Sequence, residues 1–200
     1  IKKMDTQRLE EVLDLRQAIK SGNDKIYIST EPKGNAKKIL RGKDVFRYKI
    51  IDPNMFLDYG KHLACPRDES IFLQPHILIR EAGKTVTASL DYNNYYIMSS
   101  LYCGIMRRDT DLSIEYILGI INSKLFQYLM YKINFENTQG AFTKAKIYHY
   151  NQLPIVKPDT ENYAIIEGNV KKILVSDETN TRQLEDEIDI AVYKTYRLTE

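Results

Sequence analysis

Apolar positions along this chain change their period more than once. Leu9, Val12, Leu13 and Ile19, with Arg16 in the same series, recur near every 3.6 residues. They predict an amphipathic helix that stops at Ser21-Gly22. From Lys25 to Arg107 the pattern shortens to β-rich runs broken by Pro, Gly, Asn and Asp. The runs are Ile26-Tyr27-Ile28, Phe46 to Ile51, Ile71-Phe72-Leu73, Ile77 to Arg80, Thr85 to Leu90 and Tyr95 to Met106, which together predict a twisted, mostly antiparallel sheet. Thr85, Thr87 and Ser89 alternate with Val86, Ala88 and Leu90, as one wet and one buried face require. Asp91-Tyr92-Asn93-Asn94 then supplies a turn.

Helical spacing returns at Ser113, an N-cap with Glu115 in the positive first turn; Ile114, Ile117, Leu118, Ile121, Leu125 and Leu129 form one long apolar face. A loop containing Gln139-Gly140 leads to Leu153-Pro154-Ile155, where proline removes a backbone donor and closes the body. Lys157-Pro158-Asp159 reads as a hinge. Beyond it two stripes, Tyr163, Ile166, Val170, Ile173 and Leu184, Ile188, Val192, Tyr196, flank the polar stretch Ser176 to Thr181 and predict an antiparallel helical hairpin. Asn180 and Gln183 resemble a capping box for its second arm. The expected class is α+β: a mostly antiparallel sheet with a packed long helix, then a C-terminal helical hairpin. The expected divisions are a linker helix at 1–24, a body at 25–156 and the hairpin at 157–200.

Composition narrows the functional classes. The chain has 200 residues, 43% hydrophobic and 28% charged, which excludes a disordered or collagen-like polymer and permits a sizeable core. No run of ~18 apolar residues spans a bilayer, so a soluble protein with no membrane partner is expected, and only two cysteines make a reducing cytoplasm the expected location. The opening Ile1-Lys2-Lys3-Met4-Asp5 lacks an initiator Met and suggests a piece of a longer polypeptide. The net charge of +2 conceals a division. Residues 1–156 hold 23 basic against 17 acidic side chains, while 157–200 hold 6 against 10. The excess peaks where Lys33, Lys37, Lys38, Arg41, Lys43, Arg47 and Lys49 face only Asp44. Such a cluster attracts polyanions, or else it is a solvated basic face.

Most catalytic chemistries lack their residues. His62, Cys65, His76 and Cys103 do not have zinc-site spacing, and two cysteines are too few for a disulfide framework. His149, within Tyr148-His149-Tyr150, reads as a surface or packing residue without recognisable triad partners. There is no phosphate-binding Gly-rich loop. Glu185-Asp186-Glu187 point in different directions on a helix and read as solvated charges. What remains is basic and aromatic. Fifteen tyrosines provide flat amphipathic rings, and Arg47-Tyr48-Lys49 joins both chemistries, although cross-strand packing accounts for most such rings.

Arg41-Gly42-Lys43-Asp44-Val45-Phe46-Arg47-Tyr48 resembles the start of the TaqI-like C-terminal specificity domain, which is found in type IIG restriction-modification enzymes and related adenine-N6 DNA methyltransferases. Gln74 to Gly83, Ala88-Ser89-Leu90-Asp91, Ser100-Leu101-Tyr102, Tyr116 to Phe126, Gly140 to Lys144 and Leu153-Pro154-Ile155 follow in that family's order. Ile188 to Glu200 looks like the C-terminus of such enzymes. The family's catalytic half carries an Asn-Pro-Pro-Tyr motif and a Gly-rich site for S-adenosylmethionine; this sequence has neither, and Asp52-Pro53-Asn54-Met55 is no substitute.

The resemblance implies a bacterial or archaeal target recognition domain at 25–156. It would bind double-stranded DNA without catalytic residues or a cofactor of its own, partnered by a methyltransferase domain of the same polypeptide. S-adenosylmethionine, with magnesium as a further candidate, is expected for that parent enzyme. Arg41, Lys43, Arg47 and Lys144 are expected on phosphates; Arg80, Lys84 and Tyr48 are expected nearer base edges, where an arginine fork suits guanine O6 and N7. Arg80 could instead pair with Glu81 or Asp91. The acidic hairpin should repel DNA and pack on the body or on the catalytic half. A competing reading is a protein–protein scaffold that docks subunits through the C-terminal helices.

Overall fold

The computed structural model describes residues 6–138, 145–176 and 181–198, with the backbone alone described for 134–138. In chain order the elements begin with β1 (Thr6–Arg8), α1 (Leu9–Val12), β2 (Leu13–Gln17), α2 (Asp24–Tyr27), β3 (Ile28–Ser29) and β4 (Ala36–Leu40). Next come β5 (Val45–Phe46), β6 (Lys49–Ile50), β7 (Phe56–Asp58), β8 (His76–Arg80), β9 (Ala88–Asp91), β10 (Tyr96–Ile97) and β11 (Leu101–Met106). The helical part has α3 (Ile114–Asn122), α4 (Lys124–Thr138), α5 (Ile147–Asn151), β12 (Pro154–Val156), α6 (Thr160–Val175) and α7 (Arg182–Thr195). Short 3-10 turns lie at Gly42–Asp44 and Glu69–Ile71.

The chain divides into two compact units: residues 15–83 with 87–105, and the remainder, comprising 84–86, the N-terminal segment and everything from 106 onward. The mixed α and β class is as expected, but the boundaries are not. The long helical segment belongs with the hairpin, not with the strands.

The first unit is β-rich. Its sheets run β10-β4-β7-β3 and β2-β11-β8-β9, with β5-β6 as a separate hairpin. Among the described strands, β3–β7, β4–β7, β5–β6, β8–β9 and β8–β11 pair antiparallel and β10 pairs parallel with β4. Ile39, Leu40, Leu57, Phe72, Leu78, Ile97, Leu101 and Cys103 fill its core. The predicted alternation over 85–90 fails because β9 is covered on both faces: Ala88, Ser89 and Leu90 are all buried, and the β5-β6 hairpin packs against the strand. Ile71-Phe72-Leu73 is not a strand. Asp68 accepts the Ser70 amide at 2.9 Å and opens a 3-10 turn there instead. Ile26-Tyr27 likewise closes a single helical turn capped by Asn23.

The predicted N-terminal helix lasts one turn. After Val12 the chain extends, because Leu13 and Leu15 alternate inward with period two and win over the helical spacing. In the second unit, β1 pairs antiparallel with β12, so Pro154 begins a strand, a position where its missing donor does no harm. The single long helix that was expected is two. Ser123 ends α3, its N–H donating to Ile120 O at 3.1 Å, and opens α4, its Oγ accepting the Phe126 amide at 3.2 Å. Ser113 caps α3 as expected. α6, capped by Asp159, packs on α3 and on α7. Asn169 meets Glu187 at 2.8 Å, while Asn162 lines a groove with Lys194, so the hairpin is antiparallel. Asn180 lies outside the described residues.

Candidate nucleic-acid interface

The basic run from Lys33 to Lys49 sits on β4, the Gly42–Asp44 turn and the β5-β6 hairpin, all in the β-rich unit. Two of its lysines are already engaged. Lys38 donates to Asp52 at 2.8 Å, which holds that carboxyl below its ordinary value, and Lys37 lies 3.4 Å from Glu69 and over the Tyr96 ring. Tyr96 also donates to Glu69, and that bond and the Lys37 charge keep Glu69 below its ordinary pKa. Lys33, Lys43 and Lys49 are exposed. The run's one carboxylate, Asp44, is buried, and it accepts the Arg41 amide at 2.8 Å while its carbonyl accepts the Ile51 amide at 2.9 Å. Asp44 therefore works as a clamp at the base of the hairpin and not as a surface counter-charge.

Backbone bonds gather three arginine-bearing segments onto one edge. Tyr48 donates its N–H to Ala88 O at 3.0 Å, and Arg80 donates its own to Thr87 O at 3.0 Å. One strand over, Ser100 serves two more: its Oγ accepts the Gly42 amide at 2.8 Å and its carbonyl accepts the Glu81 amide at 3.0 Å. Arg41, Arg47 and Arg80 are thus mounted on segments that converge at residues 87–88 and 100. Each arginine is half-buried, with its Nε withdrawn from solvent. Side chains already packed in this way lose less rotamer entropy when they bind a ligand.

Not every expected residue falls here. The Tyr48 ring is buried at 4% exposure, and its backbone takes a left-handed φ of 57°, an uncommon conformation for an aromatic residue. Its expected place at a base edge is therefore corrected. The ring anchors the hairpin turn from inside, with the Arg47 guanidinium 5.8 Å from its centroid. Lys84 is exposed but belongs to the helical unit, in a segment that the Gln127 amide grips through Val86 N at 2.7 Å and Val86 O at 2.8 Å. Lys144 lies outside the described residues. Arg80 does not pair with Asp91, which sits at the far end of β9 opposite His76, 3.5 Å away, with its oxygens accepting the Asn93 and Tyr95 amides. Burial leads in pushing the Asp91 pKa up. Ser100 was missed as a site residue. Its signal was the Ser99-Ser100 pair before an apolar strand, but the use of that hydroxyl is set by a residue 58 positions away.

Among the described residues no three His, Cys, Asp or Glu side chains converge as a metal site, and no helix is long and apolar enough to cross a membrane. His149 is buried, as packing required: its Nδ1 accepts the Lys146 amide at 3.2 Å, and burial lowers its pKa.

Residues 37–155 match the model of the TaqI-like C-terminal specificity domain. Over 163 residues the chain is 26% identical to a Methanocaldococcus jannaschii protein whose name describes a type II restriction enzyme and methyltransferase, RM.MjaORFECS2P. The match takes in 76% of this chain and 14% of that relative's length. Among solved structures it is similar to the type IIL restriction-modification enzyme MmeI in complex with DNA, with a TM-score of 0.64 at 11% identity, covering 97% of this chain and 34% of that one. It is also similar to the HsdS subunit from Thermoanaerobacter tengcongensis, with a TM-score of 0.52 at 16% identity, covering 96% and 44%. Both structural likenesses are of fold.

Proposed function

The chain belongs to the TaqI-like C-terminal specificity domain family, and from that membership we propose that it reads double-stranded DNA sequence for a restriction-modification enzyme of the type IIG or adenine-N6 methyltransferase kind. The covalent chemistry is carried by other polypeptide. The observation that carries this reading is the gathering of Arg41, Arg47 and Arg80 on one edge, beside exposed Lys43 and Lys49 and with the run's one carboxylate buried. Arg41, Arg47 and Lys43 neutralise phosphates and fix register. Arg80 reads a base, its fork suited to guanine. Lys84 and Lys144 keep their assignments to base edges and backbone.

S-adenosylmethionine, and magnesium where a nuclease is present, are assigned to the catalytic polypeptide. This chain has no Asn-Pro-Pro-Tyr motif and no Gly-rich loop to receive the first, and its described residues offer no donor set for the second. The methyltransferase domain is the proposed protein partner, in the cytoplasm of a bacterium or archaeon. Against the scaffold reading stands the use already made of the two helical stripes: Ile166, Val170, Ile173, Ile188, Val192 and Tyr196 are all buried within their own unit.

Duplex binding measured by fluorescence anisotropy between 50 and 200 mM salt tests the reading. Affinity should fall linearly on a log–log plot, and Arg41→Ala, Lys43→Ala and Arg47→Ala should each flatten the slope by about 0.9. Arg80→Ala should instead relax preference at one base pair by ~1–3 kcal/mol. Binding indifferent to salt would refute the proposal.

A further inference from the structure

One aromatic residue in the basic hairpin has no part in the roles above. Side chains alternate along β5 and β6: Val45 is fully buried opposite the half-buried Ile50, while Phe46 stands opposite exposed Lys49 and is itself 43% exposed. A single exposed apolar side chain is ordinary on a protein surface. Phe46 is set apart by its mounting and its neighbours. The hairpin is pinned by the Tyr48 amide on Ala88, by the buried Tyr48 ring, and at its base by Asp44, which holds both the Arg41 and Ile51 amides. Along the sequence Phe46 lies between Lys43 and Arg47, its cross-strand partner is Lys49, and the nearest carboxylate in sequence is the buried Asp44. An acidic or neutral protein surface could cover an apolar ring, but a rigid two-stranded ribbon that carries one ring among cations matches a polyanion with apolar groups inside its grooves. Duplex DNA has that character. Its major groove admits a two-stranded ribbon and presents the thymine C5-methyl group, which apolar side chains contact.

We propose that Phe46 is a specificity-determining residue whose ring packs on a thymine methyl in the major groove, while Lys43 and Lys49 hold the adjoining phosphates. The inference rests on the DNA-recognition reading and adds to it the base feature that this hairpin selects.

The test selects duplexes from a randomised library with the 200-residue chain, then measures affinity for the selected site with each thymine in turn replaced by uracil, which removes only the methyl. Wild type should lose about fourfold at one thymine, the worth of one buried methyl group. Phe46→Ala should bind the thymine site about tenfold more weakly and be indifferent to uracil at that position. Phe46→Leu, which keeps an apolar side chain, should retain part of the discrimination. A selected site without thymine, a wild type indifferent to every replacement, or a Phe46→Ala variant that still loses fourfold at that thymine overturns the inference and leaves DNA recognition standing. A wild type that selects no sequence, with affinity independent of salt, overturns both.

Discussion

Removing the Asp189 carboxylate should show how strongly α7 holds the start of α4. Asp189 is 3% exposed; one oxygen accepts the Lys124 backbone N–H at 2.7 Å and the other lies 3.0 Å from Lys124 Nζ. That N–H is the first of α4 and has no partner within its own helix, so a carboxylate there both satisfies it and meets the positive end of the helix. Charge-assisted bonds of this kind contribute about 1.5–3 kcal/mol, and Asp189→Ala should cost about 2 kcal/mol. Asp189→Asn keeps an acceptor and loses the charge, so about 1 kcal/mol is expected. The lysine head contributes little by comparison. Its side chain is 59% exposed and shared with Asp186 at 2.9 Å; both carboxylates raise its pKa, Asp186 foremost. An ion pair so open to solvent stabilises by at most ~1 kcal/mol, and Lys124→Ala should cost no more. Urea unfolding followed by far-ultraviolet circular dichroism gives the three values. Asp189→Ala within ~0.5 kcal/mol of wild type, or Lys124→Ala as costly as Asp189→Ala, would refute the cap and leave only a surface charge contact.

Two further outcomes concern the same helical unit. A Cβ added at Gly119 would sit 2.7 Å from Ile166 Cγ2 and 3.1 Å from Val170 Cγ2, so Gly119→Ala should destabilise by a net ~1–2 kcal/mol, overpacking exceeding the gain in helix propensity. A thermal midpoint equal to or above wild type would contradict the close approach of α3 and α6. His149 is held neutral by burial first and by the Lys146 charge second, which lowers its pKa from the ordinary 6.5. Its contribution is therefore full above that value and is lost as pH falls through the lowered one, when Nδ1 can no longer accept the Lys146 amide. The gap in urea midpoint between wild type and His149→Gln should narrow from pH 7.5 to pH 5, and a constant gap would count against it.

The sequence made local signals legible and non-local ones opaque. Ser113 as a cap, the Asp91 to Asn94 turn and the two stripes of the hairpin stand as read, because each depends on residues within a turn or two of one another. The break at Ser123 was also local, a Ser followed by a fresh helix, but the apolar face from Ile121 to Leu125 ran straight through it and masked the stop. At the N-terminus two periods overlapped on Leu13, and the choice between them was made by strand pairing far along the chain. The site divides in the same way. Composition located the basic run, but it could not show that Lys37 and Lys38 are engaged by Glu69 and Asp52, or that a tyrosine in a left-handed turn would bury its ring.

The acidic tail shows how packing alters a charge count. Glu185, Asp186 and Glu187 do point in different directions, as successive helical positions must, yet each has a partner: Thr181 donates to Glu185, Lys124 to Asp186 and Asn169 to Glu187. Asp189 is buried against Lys124, and Glu167 takes Lys171 at 2.9 Å. Several acids of residues 157–200 thus serve to fasten α6 and α7 within their own unit. In the basic run the sole acid, Asp44, is used in the same way, buried at the base of the β5-β6 hairpin. In both halves, then, acids that a formal count places on the surface are used in packing, and the count alone does not tell which.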